Sequence, residues 1–441
     1  MSFYCVAMTQ EFNNFFCQAE KKEQMTADFA TKIPQRLLDI KDKTRSNLFV
    51  WRGQFSPQLV ETLIQAYCPE NASILDPFVG SGTVLYEAAR LGLAAHGFEL
   101  NPAAWTFSKL YEFVNLPFHL RELAIRELQA KVAHEFPVVI FENDILPLEE
   151  VEDKIVRVST LLGDYAKILC NALVVLLDIF KNQITGDFVQ SKLMALAELV
   201  RRLPYSKKQI IADLQDARHL PLQRHSIDFV LSSPPYINVF NYHQNYRRSV
   251  ETLGWDVLRV AKSEIGSNRA NRGNRFLTVI QYCIDMAWVL QELARVVRPG
   301  GRIVLVVGYE SKVLGVPFNN SKIIENLATQ LGAFDSVLRQ KRVFQNRYGQ
   351  DIREDILNLA KRSYPNISSA PDEIGRSVAV KTLLEGMASV AAKNRSLLNE
   401  AVATAEQTKG TPVFDSAVYC NYQTRANVMM VNEKMEGRSN E

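Results

Sequence analysis

Short apolar runs alternate with longer amphipathic segments through the central part of the chain. Runs of strand length end at Asp76 and lie at 94–99, 209–216 and 227–231, and helix-compatible segments follow several of them. Strands that alternate with helices indicate βαβ units and a parallel sheet. A later pair of apolar segments, which ends near residue 359, predicts an antiparallel hairpin. The pattern therefore predicts an α/β fold whose sheet is mostly parallel with an antiparallel edge.

A long helical region separates the second and third predicted strands. Residues 103–204 contain few glycines and read as a helical insertion, and their longest apolar stretch, 168–180, predicts a buried helix. That stretch is too short to span a bilayer and contains an aspartate, so no membrane partner is predicted. The predicted units are an N-terminal arm at 1–46, a main α/β domain at 47–102 and 205–362, the insertion at 103–204, and a C-terminal helical extension with a polar tail at 363–441.

Composition narrows the class of protein without identifying it. The 441 residues are 47% hydrophobic and 22% charged, which is typical of a soluble globular protein. A formal net charge of +3 is too small to indicate nucleic-acid binding by itself, so any basic surface must be local. The six cysteines form no CxxC pair and no zinc-ligand spacing, which favours reduced thiols, a cytoplasmic location and no metal site. The first ten residues do not resemble a signal peptide.

Two short motifs follow predicted strands and carry the candidate chemistry. Asp76-Pro77-Phe78-Val79-Gly80-Ser81-Gly82-Thr83 lies between a strand and a helix. A glycine turn in that position brings backbone N–H groups close to a ligand. Ser233-Pro234-Pro235-Tyr236 follows the strand at 227–231, where two prolines stop the strand. Each motif alone is also compatible with an ordinary turn.

Together the two motifs resemble those of S-adenosylmethionine-dependent DNA amino-methyltransferases, which modify cytosine N4 or adenine N6. The resemblance covers about 47–102 and 207–360. It implies a Rossmann-like methyltransferase fold with a mostly parallel seven-stranded sheet, the main α/β domain as catalytic domain, and S-adenosylmethionine as cofactor. The long insertion departs from the compact members of the family, so it is a candidate for DNA recognition or for docking a partner.

The resemblance also assigns roles to residues of the cofactor site. Asp76 is expected to accept a hydrogen bond from the ammonium group of the methionine moiety. Glu99, at the end of the next strand, is expected to accept from the ribose hydroxyls, as acidic residues do in dinucleotide sites, although an exposed strand-end carboxylate is the plain alternative. Asp216 resembles the residue that binds the adenine amino group. Phe55 and Ser56 resemble the segment that closes over the methionine end, but Ser56 also fits a simple helix N-cap. The remaining candidates are Pro77, Phe78, Gly80, Ser81, Gly82 and Thr83.

Ser233, Pro234, Pro235 and Tyr236 are the predicted catalytic residues. The lone pair of an exocyclic base amine is delocalised into the ring, which makes the nitrogen a poor nucleophile. A serine hydroxyl and the Pro234 carbonyl, held rigidly by the prolines, can accept from the amine and favour a pyramidal nitrogen. Tyr236 offers a face on which a flipped base can stack. No covalent enzyme intermediate is needed.

Serine at the first position of the motif resembles the cytosine-N4 branch more than the adenine-N6 branch. The sequence therefore predicts a cytosine-N4 DNA methyltransferase of a modification or defence system, with double-stranded DNA as substrate. A cognate nuclease or a defence-complex subunit is a candidate partner. An adenine-N6 enzyme, an RNA base methyltransferase and an inactive methyltransferase-fold scaffold remain alternatives.

A polar segment after Tyr236 contains the candidate DNA-binding residues. It is rich in arginine, asparagine and tyrosine between His243 and Arg275. Arginine neutralises phosphates, and arginine and asparagine can read base edges. A solvated loop without a binding role is the alternative. The short distance in sequence from the catalytic motif favours DNA binding. The candidates are Asn238, Tyr242, Arg247, Arg248, Arg269, Arg272 and Arg275.

Overall fold

A seven-stranded sheet organises the part of the chain that the computed structural model describes, which comprises residues 30–41, 43–51, 53–138, 145–160, 162–237, 242–267, 271–346, 349–365 and 369–415. A separate two-stranded hairpin, β6 and β7, was not predicted. The strands are β1 (Ser73–Asp76), β2 (Ala94–Glu99), β3 (Ile210–Leu214), β4 (Ile227–Ser232), β5 (Val297–Gly308), β6 (Glu310–Val313), β7 (Val316–Asn319), β8 (Phe334–Gln345) and β9 (Asp351–Lys361).

The strand order of the large sheet is β3-β2-β1-β4-β5-β9-β8. The first five strands are parallel, and β9 and β8 pair antiparallel at one edge. The predicted α/β fold with a mostly parallel seven-stranded sheet is therefore confirmed. Because β1 lies between β2 and β4, the carboxyl ends of these three strands meet at the centre of one edge. That is the place where open α/β sheets bind ligands.

Helices cover both faces of this sheet. On the central strands, Phe229 and Leu231 belong to one buried apolar cluster and Val230 belongs to another, as expected for alternating side chains of a strand buried on both faces. The α-helices of the described residues are α1 (Gln35–Leu38), α2 (Pro57–Tyr67), α3 (Thr83–Arg90), α4 (Pro102–Lys109), α5 (Phe118–Glu135), α6 (Leu148–Thr160), α7 (Asp164–Leu177), α8 (Gly186–Arg202), α9 (Arg247–Thr252), α10 (Val257–Val260), α11 (Leu277–Val296), α12 (Asn320–Gln330), α13 (Pro371–Gly386) and α14 (Arg395–Ala403).

The helical insertion shares its core with the sheet. Leu173 and Val175 of α7 belong to the same apolar cluster as Ile74 of β1. The predicted buried helix at 168–180 is present, although it ends at Leu177. None of the described helices combines the length and the apolar character needed to cross a bilayer. The boundaries of the predicted units stay a prediction, and residues 1–29 of the arm and 416–441 of the tail lie outside the described residues.

Two local features depart from the sequence pattern. The pattern at 377–401 is that of one helix, whereas α13 ends at Gly386 and α14 begins at Arg395. The Arg-Pro-Gly-Gly sequence at 298–301 is typical of a turn but is part of β5, with Gly300 at a φ of +75° and a register shift where β5 pairs with β4. A glycine accommodates that backbone inside an extended segment, so the sequence signal for a turn marked an irregularity in a strand.

A buried ion network joins the C-terminal extension to the sheet. Arg218 donates to the Asp216 carboxylate from Nε (2.9 Å) and Nη2 (2.6 Å), and its Nη1 donates to Asp285 Oδ1 at 2.9 Å. The same guanidinium donates to the carbonyls of Thr411 and Pro412 at 2.8 and 2.9 Å. The Arg218 side chain is 4% exposed. One buried cation therefore donates hydrogen bonds to two carboxylates and to the C-terminal segment.

Replacing Arg218 by alanine is expected to lower the free energy of unfolding by about 3–5 kcal/mol, because it leaves two buried carboxylates without their cation. Chemical denaturation measures this change. The matched control is Arg202→Ala, which breaks an exposed pair with Glu198 at 2.7 Å. The control should shift the unfolding free energy by less than about 1 kcal/mol. Equal effects of the two substitutions would contradict the structural role of Arg218.

Candidate active site

One cavity of about 630 Å³ lies at the carboxyl ends of β1, β2 and β4. It brings together most of the residues that the two motifs predicted, from segments more than 150 residues apart in sequence. Gly82 and Ser56 are the two predicted cofactor residues that do not line it. The predicted residues that line the cavity are Phe55, Asp76, Pro77, Phe78, Gly80, Ser81, Thr83, Glu99, Asp216, Ser233, Pro234, Pro235, Tyr236 and Tyr242.

Asp76 ends β1 and is held from two sides. Its Oδ1 accepts from the Phe78 N–H at 3.1 Å and from the Ser232 hydroxyl at 2.6 Å. Among the described residues, nothing donates a hydrogen bond to its other oxygen, although Asp76 is 3% exposed. Burial raises the pKa of this carboxyl group to about 7, against the opposing effect of the Ser232 hydrogen bond. A carboxylate oxygen without a donor, on a residue that lines the cavity, is suited to bind a cationic ligand group.

Glu99 ends β2 and orders the backbone around it. Its Oε2 accepts from the Gly80 N–H at 2.8 Å, and its Oε1 accepts from the N–H groups of Leu100 and Asn101 at 2.9 and 2.8 Å. Burial raises the pKa of Glu99 to about 7, partly offset by these N–H donors. A carboxylate has about four acceptor positions, so one position remains for a ligand hydroxyl. Glu99 is partly buried and accepts three backbone N–H bonds, which favours the ligand role over the plain alternative of an exposed strand-end carboxylate.

The glycine turn depends on the absence of a side chain at Gly82. This residue has a φ of +93°, and a Cβ there would lie 2.5 Å from the Tyr111 ring. Left-handed backbone and lack of space both favour glycine. Gly82 precedes α3, which begins at Thr83. It therefore shapes the turn without lining the cavity.

Residues 47–51 and 53–56 contact the glycine turn. The Gln54 amide donates to the Phe49 carbonyl at 2.8 Å and to the Ser81 hydroxyl, and Asn47 Oδ1 accepts from the Thr83 hydroxyl at 3.1 Å. Phe55 lines the cavity, in agreement with its predicted location. Ser56 is at the N-cap position of α2, but its hydroxyl makes no capping bond and is buried without a partner among the described residues. Neither alternative for Ser56 is therefore supported.

Asp216 lines the cavity, but donors within the chain already occupy the carboxylate that was predicted to bind the adenine amino group. Oδ1 accepts from the N–H and the Nε of Arg218, and Oδ2 accepts from Arg218 Nη2 and from the Phe414 N–H at 3.0 Å. These four bonds use the four acceptor positions of a carboxylate. The adenine amino group therefore has no vacant acceptor on Asp216. The sequence alone could not show that the Asp216 carboxylate is occupied. Its donors are Arg218, two residues further along the chain, and the N–H of Phe414 in the C-terminal extension.

The Ser-Pro-Pro-Tyr segment forms the wall next to Asp76. Ser233 Oγ lies 3.4 Å from the Tyr236 hydroxyl, and the Pro235 carbonyl accepts from the Tyr282 hydroxyl at 3.1 Å. No described residue donates to the Pro234 carbonyl. The ring of Tyr236 packs on Gly308, where a Cβ would lie 2.8 Å from Tyr236 Cε2. Burial raises the pKa of the Tyr236 hydroxyl far above its usual range, so this hydroxyl stays protonated.

The antiparallel strands β8 and β9 at the edge of the sheet form a part of the cavity wall that the sequence did not predict. Phe344, Asn346, Ile352 and Glu354 of β8 and β9 and their turn line the cavity. Phe344 and Ile352 are cross-strand neighbours, and Glu354 Oε2 pairs with Arg342 at 2.7 Å. Ordinary strand alternation gave no sign that these side chains reach the site. Trp51, Gly53, Gln54, Ser263 and Glu264 are further lining residues that were not predicted.

The predicted DNA-binding residues are only partly brought to the site. Tyr242 lines the cavity and stacks on Trp51 with ring centroids 6.3 Å apart. Arg247 pairs with Glu251 at 2.7 Å, and Arg248 pairs with Glu152 of the insertion at 2.6 Å. These two arginines thus have carboxylate partners within the chain. Arg272 is exposed and Arg275 is partly buried, whereas Asn238 and Arg269 lie outside the described residues.

Known DNA methylases match parts of this chain. The model of the DNA methylase family matches residues 9–109. Type II methyltransferase M.MjaII of Methanocaldococcus jannaschii is 34% identical over 68 residues, which are 15% of this chain and 13% of that enzyme. Type II methyltransferase M.BsoBI of Geobacillus stearothermophilus is 21% identical over 402 residues, covering 65% of this chain and 79% of that enzyme. These matches support the DNA amino-methyltransferase family for this chain.

Solved structures with similarity to this methyltransferase include other methyltransferases. A SAM-dependent methyltransferase from Methanosarcina mazei has a TM-score of 0.34 and 13% identity, covering 68% of this chain and 98% of that one. A geranyl diphosphate methyltransferase in complex with GPP and sinefungin has a TM-score of 0.31 and 8% identity, and the match covers 69% of this chain and 78% of that one. The strand order of the sheet, independently of these superpositions, establishes the fold class.

The cofactor of this methyltransferase is S-adenosylmethionine, and the cavity fits it. This molecule carries an ammonium and a sulfonium charge at one end and a ribose with two hydroxyls next to its adenine. Asp76 offers one carboxylate oxygen without a donor among the described residues, and Glu99 offers one acceptor position beside the Gly80 N–H. The predicted assignments of Asp76 to the ammonium group and of Glu99 to the ribose remain predictions that this geometry favours.

Cofactor affinity is expected to depend on pH because burial raises the pKa values of Asp76 and Glu99 to about 7. Lower pH protonates these groups and removes the negative charge that attracts the ammonium group. The affinity for S-adenosylhomocysteine, measured by isothermal titration calorimetry, should therefore rise between about pH 5.5 and about pH 7.5. Asp76→Asn, which cannot titrate, should bind more weakly and show a flatter profile. A wild-type affinity that does not change over this range would contradict the assignment.

Proposed function

We propose that this methyltransferase transfers a methyl group to the exocyclic amine of a base in DNA, with cytosine N4 as its target, in a modification or defence system. The observation that carries the proposal is the shared cavity: Ser233 and Tyr236 lie in the same enclosure as Asp76 and Glu99. A base amine bound against Ser233 would thus be close to the methionine end of the cofactor. The 2.6 Å bond from Ser232 to Asp76 fixes the two motifs relative to each other.

Two acceptors in the cavity wall suit an amine. The Ser233 hydroxyl and the Pro234 carbonyl would accept the two N–H bonds of the base, which turns the nitrogen lone pair toward the methyl group. The bound cofactor supplies an electrophilic methyl group. The amine nitrogen would form its bond to that carbon as the carbon leaves the sulfur, and the nitrogen would then release one proton to water. Because the prolines and the Tyr282 bond to the Pro235 carbonyl hold the segment rigid, the geometry is prepared before the base arrives.

Aromatic and apolar walls suit a planar base. Tyr236, Phe344 and Ile352 all line the cavity. A base paired within a duplex cannot reach this enclosure, so the target nucleotide would be flipped out of the helix. The stacking face is sequence-tolerant, which means that recognition of the flanking DNA must come from other surfaces. The insertion, to which Arg248 is joined through Glu152, is the candidate for that role.

The choice of cytosine over adenine rests on the motif. Serine at its first position resembles the cytosine-N4 branch of the family, and adenine N6 is the alternative target. The modification or defence role is supported by the names of the curated relatives, which are type II methyltransferases. A cognate nuclease partner stays a prediction.

The modified base is the direct test of this function. DNA from cells that express the protein should contain N4-methylcytosine, detected by mass spectrometry of enzymatically released nucleosides. Cells that express Ser233→Ala provide the matched control and should lack it. If the product is N6-methyladenine, the target is adenine N6 and not cytosine N4. A methylated base found only in RNA, or a protein that binds the cofactor and methylates nothing, would reject the proposal.

Ser233→Ala should slow methyl transfer far more than it weakens binding. The substitution removes one acceptor for the amine, an interaction that matters most as the nitrogen becomes pyramidal. We expect the single-turnover rate to fall by a factor on the order of 100, as for loss of one transition-state hydrogen bond. Affinity for S-adenosylhomocysteine should stay within about threefold, a difference of less than 1 kcal/mol. Ser226→Ala is the control, because that hydroxyl bonds to the Gln223 carbonyl and does not line the cavity.

Substitutions of Tyr236 separate stacking from hydrogen bonding at the same wall. Tyr236→Phe keeps the ring and should retain DNA affinity. Tyr236→Ala should weaken DNA binding by about 1–3 kcal/mol as well as slow transfer. An unchanged transfer rate in Ser233→Ala would identify this serine as a turn residue, and unchanged DNA binding in Tyr236→Ala would reject the stacking role.

A further inference from the structure

The adenosine half of S-adenosylmethionine presents more hydrogen-bond donors than the predicted acceptors can receive. The donors are two ribose hydroxyls and the amino group of adenine. Glu99 has one acceptor position left after its three backbone N–H bonds. Asp216 has none, since Arg218 and Phe414 use all four. Another buried acceptor is therefore needed in this half of the cavity.

Glu264 has the properties of that acceptor. It lines the cavity and is 8% exposed. His243 Nδ1 lies 3.1 Å from Glu264 Oε2, which fixes one side of the carboxyl group. Its Oε1 is buried and has no hydrogen-bond partner among the described residues. An unpaired buried carboxyl oxygen is costly to the fold unless a ligand supplies a donor.

The position of Glu264 selects which donor it meets. Glu264 interacts electrostatically with Glu99, so the two carboxyl groups lie near each other. The preceding residue, Ser263, accepts through its carbonyl from the Thr411 hydroxyl at 3.4 Å, and Thr411 also binds Arg218 at 2.8 Å. The segment thus runs from the ribose-binding end of β2 to the network around Asp216, where adenine was expected.

An apolar cluster at this end suits a purine. Leu100, which follows Glu99 directly, packs in one cluster with Leu214 of β3, Val260 of α10 and Phe414 of the C-terminal segment. Leu100 and Ala217 also line the cavity. The C-terminal segment, which supplies the Phe414 N–H to Asp216, therefore also closes the apolar side of the site. The polar lining residues near Leu100 and Asp216 are Asn101, Gln215, Ser263 and Glu264.

We propose that Glu264 accepts a hydrogen bond from the adenine amino group of S-adenosylmethionine and so takes the role that Asp216 cannot fill. The inference rests on the proposed cofactor site. His243 is a positioning residue that holds the carboxyl group in place. Glu264 thus selects adenosine over purine ligands without a 6-amino group.

The test compares two ligands on three proteins by isothermal titration calorimetry. The ligands are S-adenosylhomocysteine and its 6-deamino analogue, in which hydrogen replaces the amino group. The wild type should bind S-adenosylhomocysteine more tightly by a factor on the order of 10–100, as expected for a hydrogen bond to a charged group. Glu264→Ala should bind the two ligands within about threefold of each other. Glu251→Gln, which changes a carboxyl group of α9 that does not line the cavity, should keep the wild-type preference.

Each outcome decides the inference. A Glu264→Ala protein that still prefers the amino ligand overturns it, and so does a wild type that does not discriminate. Equal loss of affinity for both ligands would assign Glu264 to the ribose or to the fold instead. If Glu264→Ala does not fold, Glu264→Gln keeps a partner for His243 and should reduce the preference. A wild type that binds neither ligand would reject the cofactor site itself, which is a different result from all of these.

Discussion

The hydrogen bond from the Ser232 hydroxyl to the Asp76 carboxylate, 2.6 Å long and fully buried, joins the ends of two neighbouring strands. β1 carries the glycine turn and β4 carries Ser-Pro-Pro-Tyr, so this bond sets the distance between the cofactor motif and the catalytic motif. Both strands are buried on both faces and cannot slide without exposing apolar side chains. The site is therefore built on two central, buried strands, while loops and the edge strands β8 and β9 supply the remaining walls.

Buried negative charge defines what the cavity can bind. Asp76, Glu99 and Glu264 line it together, and neighbouring carboxylates contribute to the raised pKa values of Asp76 and Glu99. Such a group of carboxyls is unfavourable in an empty, dry enclosure and becomes favourable when a cation or strong donors enter. A ligand with an ammonium group, a sulfonium group and several hydrogen-bond donors meets that requirement. The electrostatics and the family membership thus point to the same cofactor.

The sequence predicted the parts of the fold and site that depend on local patterns. The strands before Asp76 and at Ala94–Glu99, the glycine turn and the proline motif each have a periodicity or a turn chemistry of their own. The strand order then brought them to one edge. Features that depend on distant contacts were not predictable: the donors that occupy Asp216, the pairing of Arg248 with the insertion, and the lining residues from β8 and β9. No local signal in a strand tells which of its side chains will meet a cavity.

The central claim is that one cavity holds the cofactor with its reactive end against Ser-Pro-Pro-Tyr. A crystal structure of the protein with S-adenosylhomocysteine tests it most directly. We predict that the ligand's ammonium group contacts Asp76, its ribose contacts Glu99, and its sulfur faces Ser233 and Pro234. A ligand bound outside this cavity, or one whose sulfur points away from Ser233, would contradict the account.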